Sequence, residues 1–169
     1  ADLKIAARWC LDHLGLKQVY LKRFVPDRTS GVAPDDLLSA TPFVGEPAEA
    51  TVVARENGHV FLIRPYVGFS VGLFLDQRDN RRHLARRLEK DSQVLNLFSY
   101  TCGFSVYAAK AGATVTSVDV SSKVLEWGKE NFKANGLPAL PHRFFPADAR
   151  YFLKAAIKRQ EQYDQIILD

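Results

Sequence analysis

Three aspartates stand at the far ends of apolar runs: Asp119 after "TVTSV", Asp148 just after "HRFFPA", and Asp169 after "YDQIIL". A carboxylate at the carboxyl end of a strand can accept both hydroxyls of a ribose. The separation between the turn "FSYTCG" (98–103) and Asp119 is close to the twenty residues that put such an acid on the neighbouring strand. Each acid alone has a plainer reading: Asp119, next to Ser121, and Asp148 as helix caps, and Asp169 as a solvated acid. Together they predict an acidic crevice suited to a cationic or hydroxyl-rich ligand.

The turn itself narrows the ligand. "SYTCGF" carries one glycine, Gly103, with bulky Tyr100 and Phe104 beside it and Cys102 where a phosphate-cradling loop would want glycine. A pyrophosphate needs close backbone approach from several glycines at a helix N-terminus. This turn is poorly built for that. S-adenosylmethionine has no phosphate: its amino-acid end needs a few backbone groups, its ribose needs an acid, and its sulfonium tolerates nearby negative charge.

The elements that position these residues begin at 93. Strands "QVLNLF", "TVTSVD", "HRFFP" and "YDQIILD" alternate with helices predicted near 103–111, 121–135 and 149–159, a grammar of parallel strands and crossover helices. The fold class expected is α/β, a Rossmann-like sheet preceded by a small α+β domain. In residues 3–14 a helical stripe of Leu3, Ala7, Cys10, Leu11 and Leu14 is closed by Gly15, and one face is expected to be buried. "KQVYLKRFV" reads as a strand and "PDRTSGVAPDD" as a mobile loop. "EATVVARENGHVFLIRPY" reads as a hairpin, because Asn57-Gly58 supplies the positive φ angles of a primed turn. These signals divide the chain into an auxiliary domain at 1–70 and a ligand-binding domain at 71–169.

At 169 residues, 47% hydrophobic and 25% charged, the chain can bury a core. Its net charge of +4 is a weak lean toward a polyanion. Cys10 and Cys102, widely spaced and without metal-ligand pattern, suit a reducing, cytoplasmic setting. No metal is expected, since the histidines at 13, 59, 83 and 142 never fall at i, i+4. No membrane is expected either, for want of a long apolar run. A chain without Met that opens "ADLKIAARW" and stops within a strand reads as a piece of something longer. Its sheet would then have an open apolar edge, so self-association is expected, with a homodimer among the allowed states.

Four blocks also carry a resemblance: "GLFLDQRDNRR" (72–82), "VLNLFSYTCGFSVYAAKAGA" (94–113), "SVDVSSKVLEWGKENFKANGL" (117–137) and the final "YDQIILD". In this order they resemble class I S-adenosylmethionine-dependent methyltransferases of the ribosomal RNA large subunit methyltransferase I family, which makes 5-methylcytosine. The resemblance covers roughly residues 49–169; the family usually has glycine where Cys102 stands. It implies the cofactor S-adenosyl-L-methionine, with its methionine end against Tyr100, Thr101, Gly103 and Phe104 and its ribose on Asp119. It further implies Val120 and Ser121 along the adenosine, Asp148 and Ala149 near the adenine amino group, and Gln77 and Arg78 across the cleft, with Asp76 and Asn80 as neighbours. Asp169 would be the catalytic-block residue bordering the target base.

The family's cysteine nucleophile would lie downstream, so this piece is expected to be inactive by itself, and Cys102 is disfavoured as a substitute. "RDNRRHLARRLEK" places Arg78, Arg82 and Arg86 on one helical face with Arg81 nearby. As RNA contacts, Arg81, Arg82 and Arg86 would track phosphates; a solvated helix face is the equal alternative. Two other functions stand beside the methyltransferase: a nicotinamide-dependent oxidoreductase, and a non-catalytic RNA-binding module on the same fold.

Overall fold

A computed structural model describes residues 2–21, 41–47, 49–67 and 70–168. The chain divides into two compact units, residues 1–52 with 63–71, and residues 53–62 with 72–169. The hairpin that the sequence reading placed in the first domain therefore groups with the second unit.

In the first unit, α1 (Asp2–Leu14) ends at Gly15, whose φ of +63° is the left-handed conformation expected of a helix terminator. Ala7 is buried and Cys10 and Leu11 are half-buried, but Leu3 and Leu14 are exposed. The stripe is thus less buried than its periodicity suggests. The ladder described beside it, β1 (Gln18–Val19) antiparallel to β2 (Val44–Gly45), is two residues long and offers too little surface to cover a 13-residue helix. Of the strand predicted over 17–25 only 18–19 is seen; residues 22–25, and the loop at 26–36, lie outside the described residues.

The second unit opens with the hairpin β3 (Val52–Glu56) and β4 (His59–Ile63). Asn57 and Gly58 at its tip have φ of 50° and 85°, as a primed turn requires. A 3-10 turn at Leu75–Gln77 leads into α2 (Arg78–Arg87). Then come β5 (Gln93–Leu97), α3 (Gly103–Lys110), β6 (Thr114–Asp119), α4 (Ser122–Ala134), β7 (Arg143–Pro146), α5 (Ala149–Lys158) and β8 (Gln165–Leu168). In this unit the predicted strands and helices form, within a residue or two at most ends.

The sheet order is β7-β6-β5-β8 and all three pairings are parallel, with Leu97 opposite Val118 on one side and Leu168 on the other. The chain reverses direction across the sheet at β5. Its carboxyl end is therefore the switch point where doubly wound sheets bind ligands. On one face Leu95, Leu97 and Val118 pack with Ala149, Phe152 and Ala156 of α5, each large aliphatic contributing roughly 1.5–3 kcal/mol of burial. On the other, the Asn96 amide donates to Ser105 Oγ of α3 at 2.8 Å, and Ser105 and Ser117 share a hydrogen bond of 2.8 Å.

The hairpin is held to α4 by side chains one turn apart. Asn135 accepts from Val60 N–H at 2.8 Å and donates to its carbonyl at 2.6 Å; Asn131 accepts from Leu62 N–H at 2.9 Å, and Trp127 Nε1 donates to the Leu62 carbonyl at 2.9 Å. Alternate residues of β4 thus find in a helix the partners a further strand would have supplied. The other arm of the Asn131 amide donates to the Thr101 carbonyl at 2.9 Å. Asn131→Leu should therefore leave two backbone groups unpartnered and cost about 2–5 kcal/mol. Urea denaturation of the full-length protein checks this, and a change under about 1 kcal/mol would contradict the assignment.

Candidate functional site

The loop after β5 holds three non-glycine residues at positive φ: Phe98 (54°), Tyr100 (46°) and Cys102 (63°). Each costs of order 1–2 kcal/mol, and such strain persists only where surrounding contacts enforce it. Here they do. Asp119 Oδ2 accepts from Tyr100 N–H and Oδ1 from Ser121 N–H, both at 2.9 Å, so one carboxylate ties this loop to the end of β6. Ser99 N–H donates to the Val118 carbonyl at 3.0 Å, Cys102 N–H to the Ser99 carbonyl at 2.8 Å, and Thr101 Oγ1 to the Gly72 carbonyl.

Cys102 is wholly buried immediately before α3. Its thiol lies against Gly128 of α4, where an added Cβ would stand 2.5 Å from Sγ. Gly128 makes room for the Cys102 side chain. Burial pushes the Cys102 thiol up to about 11 and the Tyr100 phenol up to about 12. An enclosed, protonated thiol is no nucleophile at neutral pH, which agrees with the sequence reading of Cys102.

Beside the loop lies a cavity of about 30 Å³. Gln77, Tyr100, Thr101, Gly103 and Phe104, which the resemblance assigned to the cofactor, are among the residues that line it. Asn96, Phe98 and Ser99 of the strand and loop, and Gly72, Leu73 and Phe74, line it too, without having been singled out. Signals for Gly72–Phe74 lay in the "GLFLDQR" block, and for Phe98 in an aromatic side chain at the switch point. Asp119, half-buried, adjoins the cavity through its bond to Tyr100 N–H.

Other expected residues are spread more widely. Arg78 is not in the lining; its guanidinium reaches Asn57 Oδ1 at 3.4 Å. Asp76 and Asn80 are exposed, Asn80 donating to Gln77 Oε1 at 2.8 Å. Val120 is 70% exposed beyond β6. Ser121 caps α4 by accepting from Val124 N–H at 3.4 Å. Asp148 caps α5, accepting from Arg150 N–H at 2.9 Å and Tyr151 N–H at 3.4 Å. Hydrogen bonding to the Arg150 side chain holds its carboxyl below the usual range. Ala149 packs into the core beneath that cap. Asp169 lies outside the described residues.

Arg82 and Arg86 are exposed on α2 with Arg78, but Arg81 is a correction to the expected RNA-contacting set. It is 2% exposed, and its guanidinium donates from Nε and Nη2 to Glu56 Oε1 and Oε2 at 2.9 and 2.8 Å. Three residues from Arg78, it lies on the buried side of the helix.

Residues 3–169 match the family described as S-adenosylmethionine-dependent methyltransferase. The chain belongs to that family. Among relatives of this methyltransferase chain, a putative ribosomal RNA large subunit methyltransferase of Methanocaldococcus jannaschii is 40% identical over 125 residues, 74% of this chain and 32% of its own. Ribosomal RNA large subunit methyltransferase I of Tolumonas auensis is 40% identical over 124 residues, 73% of this chain and 31% of its own. A solved putative methyltransferase complexed with SAH superposes with a TM-score of 0.72 at 36% identity, over 76% of this chain and 34% of that one. The chain thus spans about a third of the length of the curated relatives it matches.

The site's residues fit this family's cofactor. Each Asp119 oxygen spends one lone pair on a backbone N–H and keeps another with which it can accept a further donor. The cavity is of a size for a small polar head, not an adenosine. Among the described residues no group of three His, Cys, Asp or Glu could hold a metal, and no helix is long and apolar enough to cross a membrane.

Gly128→Ala should destabilise the protein by about 1–3 kcal/mol through overpacking, and Cys102→Gly should recover most of that loss in the double variant. Additive losses in denaturant melts would contradict the contact. Because the folded thiol titrates near 11 and the unfolded one near 9, the folded state holds the extra proton between those values. Stability should fall as pH rises through that window, more steeply than in Cys102→Ala, as pH-dependent melts would register.

Proposed function

We propose that this chain is the cofactor-binding part of an S-adenosylmethionine-dependent RNA methyltransferase that acts on large-subunit ribosomal RNA, with cytosine C5 as the methyl acceptor. The observation that carries the reading is the Asp119 carboxylate, fixed between Tyr100 and Ser121 at the switch point beside the small cavity. In this reading Asp119 takes the ribose hydroxyls and exposed Val120 covers one adenine face. The α5 cap at Asp148–Ala149 lies toward the adenine amino group. Tyr100, Thr101, Gly103, Phe104 and Gln77 enclose the amino-acid end. The bound cofactor supplies an electrophilic methyl group. The protein's task is to hold it rigid and to exclude water from the enclosed end.

The substrate assignment rests on the ribosomal RNA methyltransferases among the relatives and on a basic helix face. Arg78, Arg82 and Arg86 are exposed along α2 and suit a phosphate backbone. Cytosine C5 chemistry uses a thiolate that adds to C6 and makes C5 nucleophilic; C5 takes the methyl group as the thioether leaves, and a base then removes the C5 proton as the thiolate is expelled from C6. Cys102 is enclosed and protonated, so the thiolate in this proposal comes from outside these residues, and Asp169 borders the target base. The oxidoreductase reading loses to the family assignment. The bulky, positive-φ loop offers a pyrophosphate no glycine-lined approach.

Calorimetry of the full-length protein with S-adenosylhomocysteine should show micromolar binding, with Asp119→Ala weakening it by about ten- to a hundredfold. Unchanged affinity in that variant would contradict the ribose role. Replacing Arg82 and Arg86 by alanine should weaken binding to a ribosomal RNA fragment and reduce its salt slope by about 1–2, leaving the adenosyl ligand's affinity unaltered.

A further inference from the structure

A recess of about 540 Å³ lies on the outer flank of the sheet, walled by the C-terminal half of α4 and by β7, the last strand on that side. Lys133 stands in the last turn of α4 and His142 immediately before β7. The recess therefore lies toward the amino ends of the strands, away from the switch point, and is no part of the cofactor site. Its volume is that of an ordinary small-ligand pocket, and no carboxylate lines it.

His142 is the residue that marks the recess for a ligand. It is 8% exposed, and its Nδ1 accepts from Val115 N–H at 3.2 Å, which leaves the ring proton on Nε2. Burial pushes the imidazole below its ordinary pKa, so the neutral ring persists at pH 7. Nε2 has no hydrogen-bond partner among the described residues and is not sealed in protein. A buried ring thus lines the recess with a donor that the fold leaves unused.

The surroundings of that donor are aromatic and cationic. Phe132 stands edge-on to His142 and to Phe144, both at 5.1 Å, and holds the two rings in place. Lys129 reaches over Phe144 at 5.7 Å and pairs with Glu126 at 2.6 Å. Lys133, one turn on, has no partner among the described residues. Leu140, 80% exposed, forms an apolar lip. Aromatic walls suit a planar ring, the Nε2–H suits an acceptor on the edge of that ring, and ammonium groups one turn apart suit negative charge on either side of it. A nucleobase within a strand, with a phosphate before and after it, has all three properties. A free mononucleotide carries phosphate on one side only.

Resting on the RNA substrate proposed above, we infer that this recess is a second RNA contact. It takes one unstacked nucleotide of the strand, with the base against the rings and an acceptor on His142 Nε2–H, and the flanking phosphates at Lys129 and Lys133. The nucleotide held here is not the one methylated. It anchors the strand at a distance from the chemistry, so the recess sets RNA affinity and leaves cofactor affinity alone.

The test measures binding of a single-stranded ribosomal RNA fragment to the full-length protein, with abasic nucleotides placed one at a time along the fragment. In the wild type at least one abasic position should weaken binding by about fivefold or more. In His142→Phe the penalty at one such position should shrink below about twofold, because the base contact is already lost. Leu140→Glu, a change at the exposed lip, gives the same comparison should His142→Phe fail to fold. Replacing Lys129 and Lys133 by alanine should weaken the intact fragment by about tenfold and reduce its salt slope by about 1–2, with the affinity for S-adenosylhomocysteine unaltered. Abasic penalties identical in wild type and variant would overturn the base contact, and an unchanged salt slope would overturn the phosphate contacts. Uridine 5′-monophosphate that competes as well as the fragment would overturn the assignment to a strand. Wild-type protein that binds no RNA fragment would overturn the substrate assignment itself, and this inference with it.

Discussion

The Asp119 carboxylate is the constraint on which the site depends. It accepts two backbone N–H groups from segments that would otherwise be independent, the loop after β5 and the start of the connection into α4. Three side chains at positive φ make that loop costly to form. Charge-assisted bonds to a part-buried carboxylate are among the stronger compensations available. The same two bonds also orient the carboxylate, which stays half-buried at the switch point. Loop strain and the acceptor proposed for the ligand are two aspects of one arrangement.

Around this clasp the unit is built to keep the loop from relaxing. Asn131 joins the loop carbonyl of Thr101 to β4, while Trp127 and Asn135 complete the pairing of alternate β4 residues. Gly128 lies on the same helix and receives the Cys102 thiol. The hairpin in turn carries Glu56, which fixes Arg81 at the cavity. Helix α4 is therefore central to the site although it supplies none of the cavity's lining. Loss of one of its amides would be felt through backbone groups left unpaired on both sides.

Much of this was legible in the sequence. The strands at 93–97, 114–119, 143–146 and 165–168 read from short runs rich in apolar residues between turn signals, and the two central ones, 93–97 and 114–119, are buried along most of their length, as strands covered on both faces are. Asp148 read as a helix cap from residue type and position, and its oxygen is engaged there; the cap before α4, which the sequence offered to Asp119, is its neighbour Ser121. The place of Arg81 was not legible. A run of arginines in one dimension shows which share a face with Arg78, but not that the next face is buried against a glutamate 25 residues earlier. The allegiance of the hairpin to the second unit was hidden for the same reason. Its partners Asn131 and Asn135 lie some 70 residues away, and nothing local marks an asparagine on a helix as a strand's missing neighbour. The α1 stripe failed in the opposite sense: its periodicity was sound, but the described ladder beside it is too short to cover it.

A crystal structure of the full-length protein with S-adenosylhomocysteine tests the central claim most directly. The account predicts both ribose hydroxyls on Asp119, with the Tyr100 and Ser121 N–H bonds to that carboxylate retained and the loop at 98–102 unmoved. A ligand seated elsewhere, or an Asp119 that abandons the two backbone N–H groups to reach it, would contradict the account.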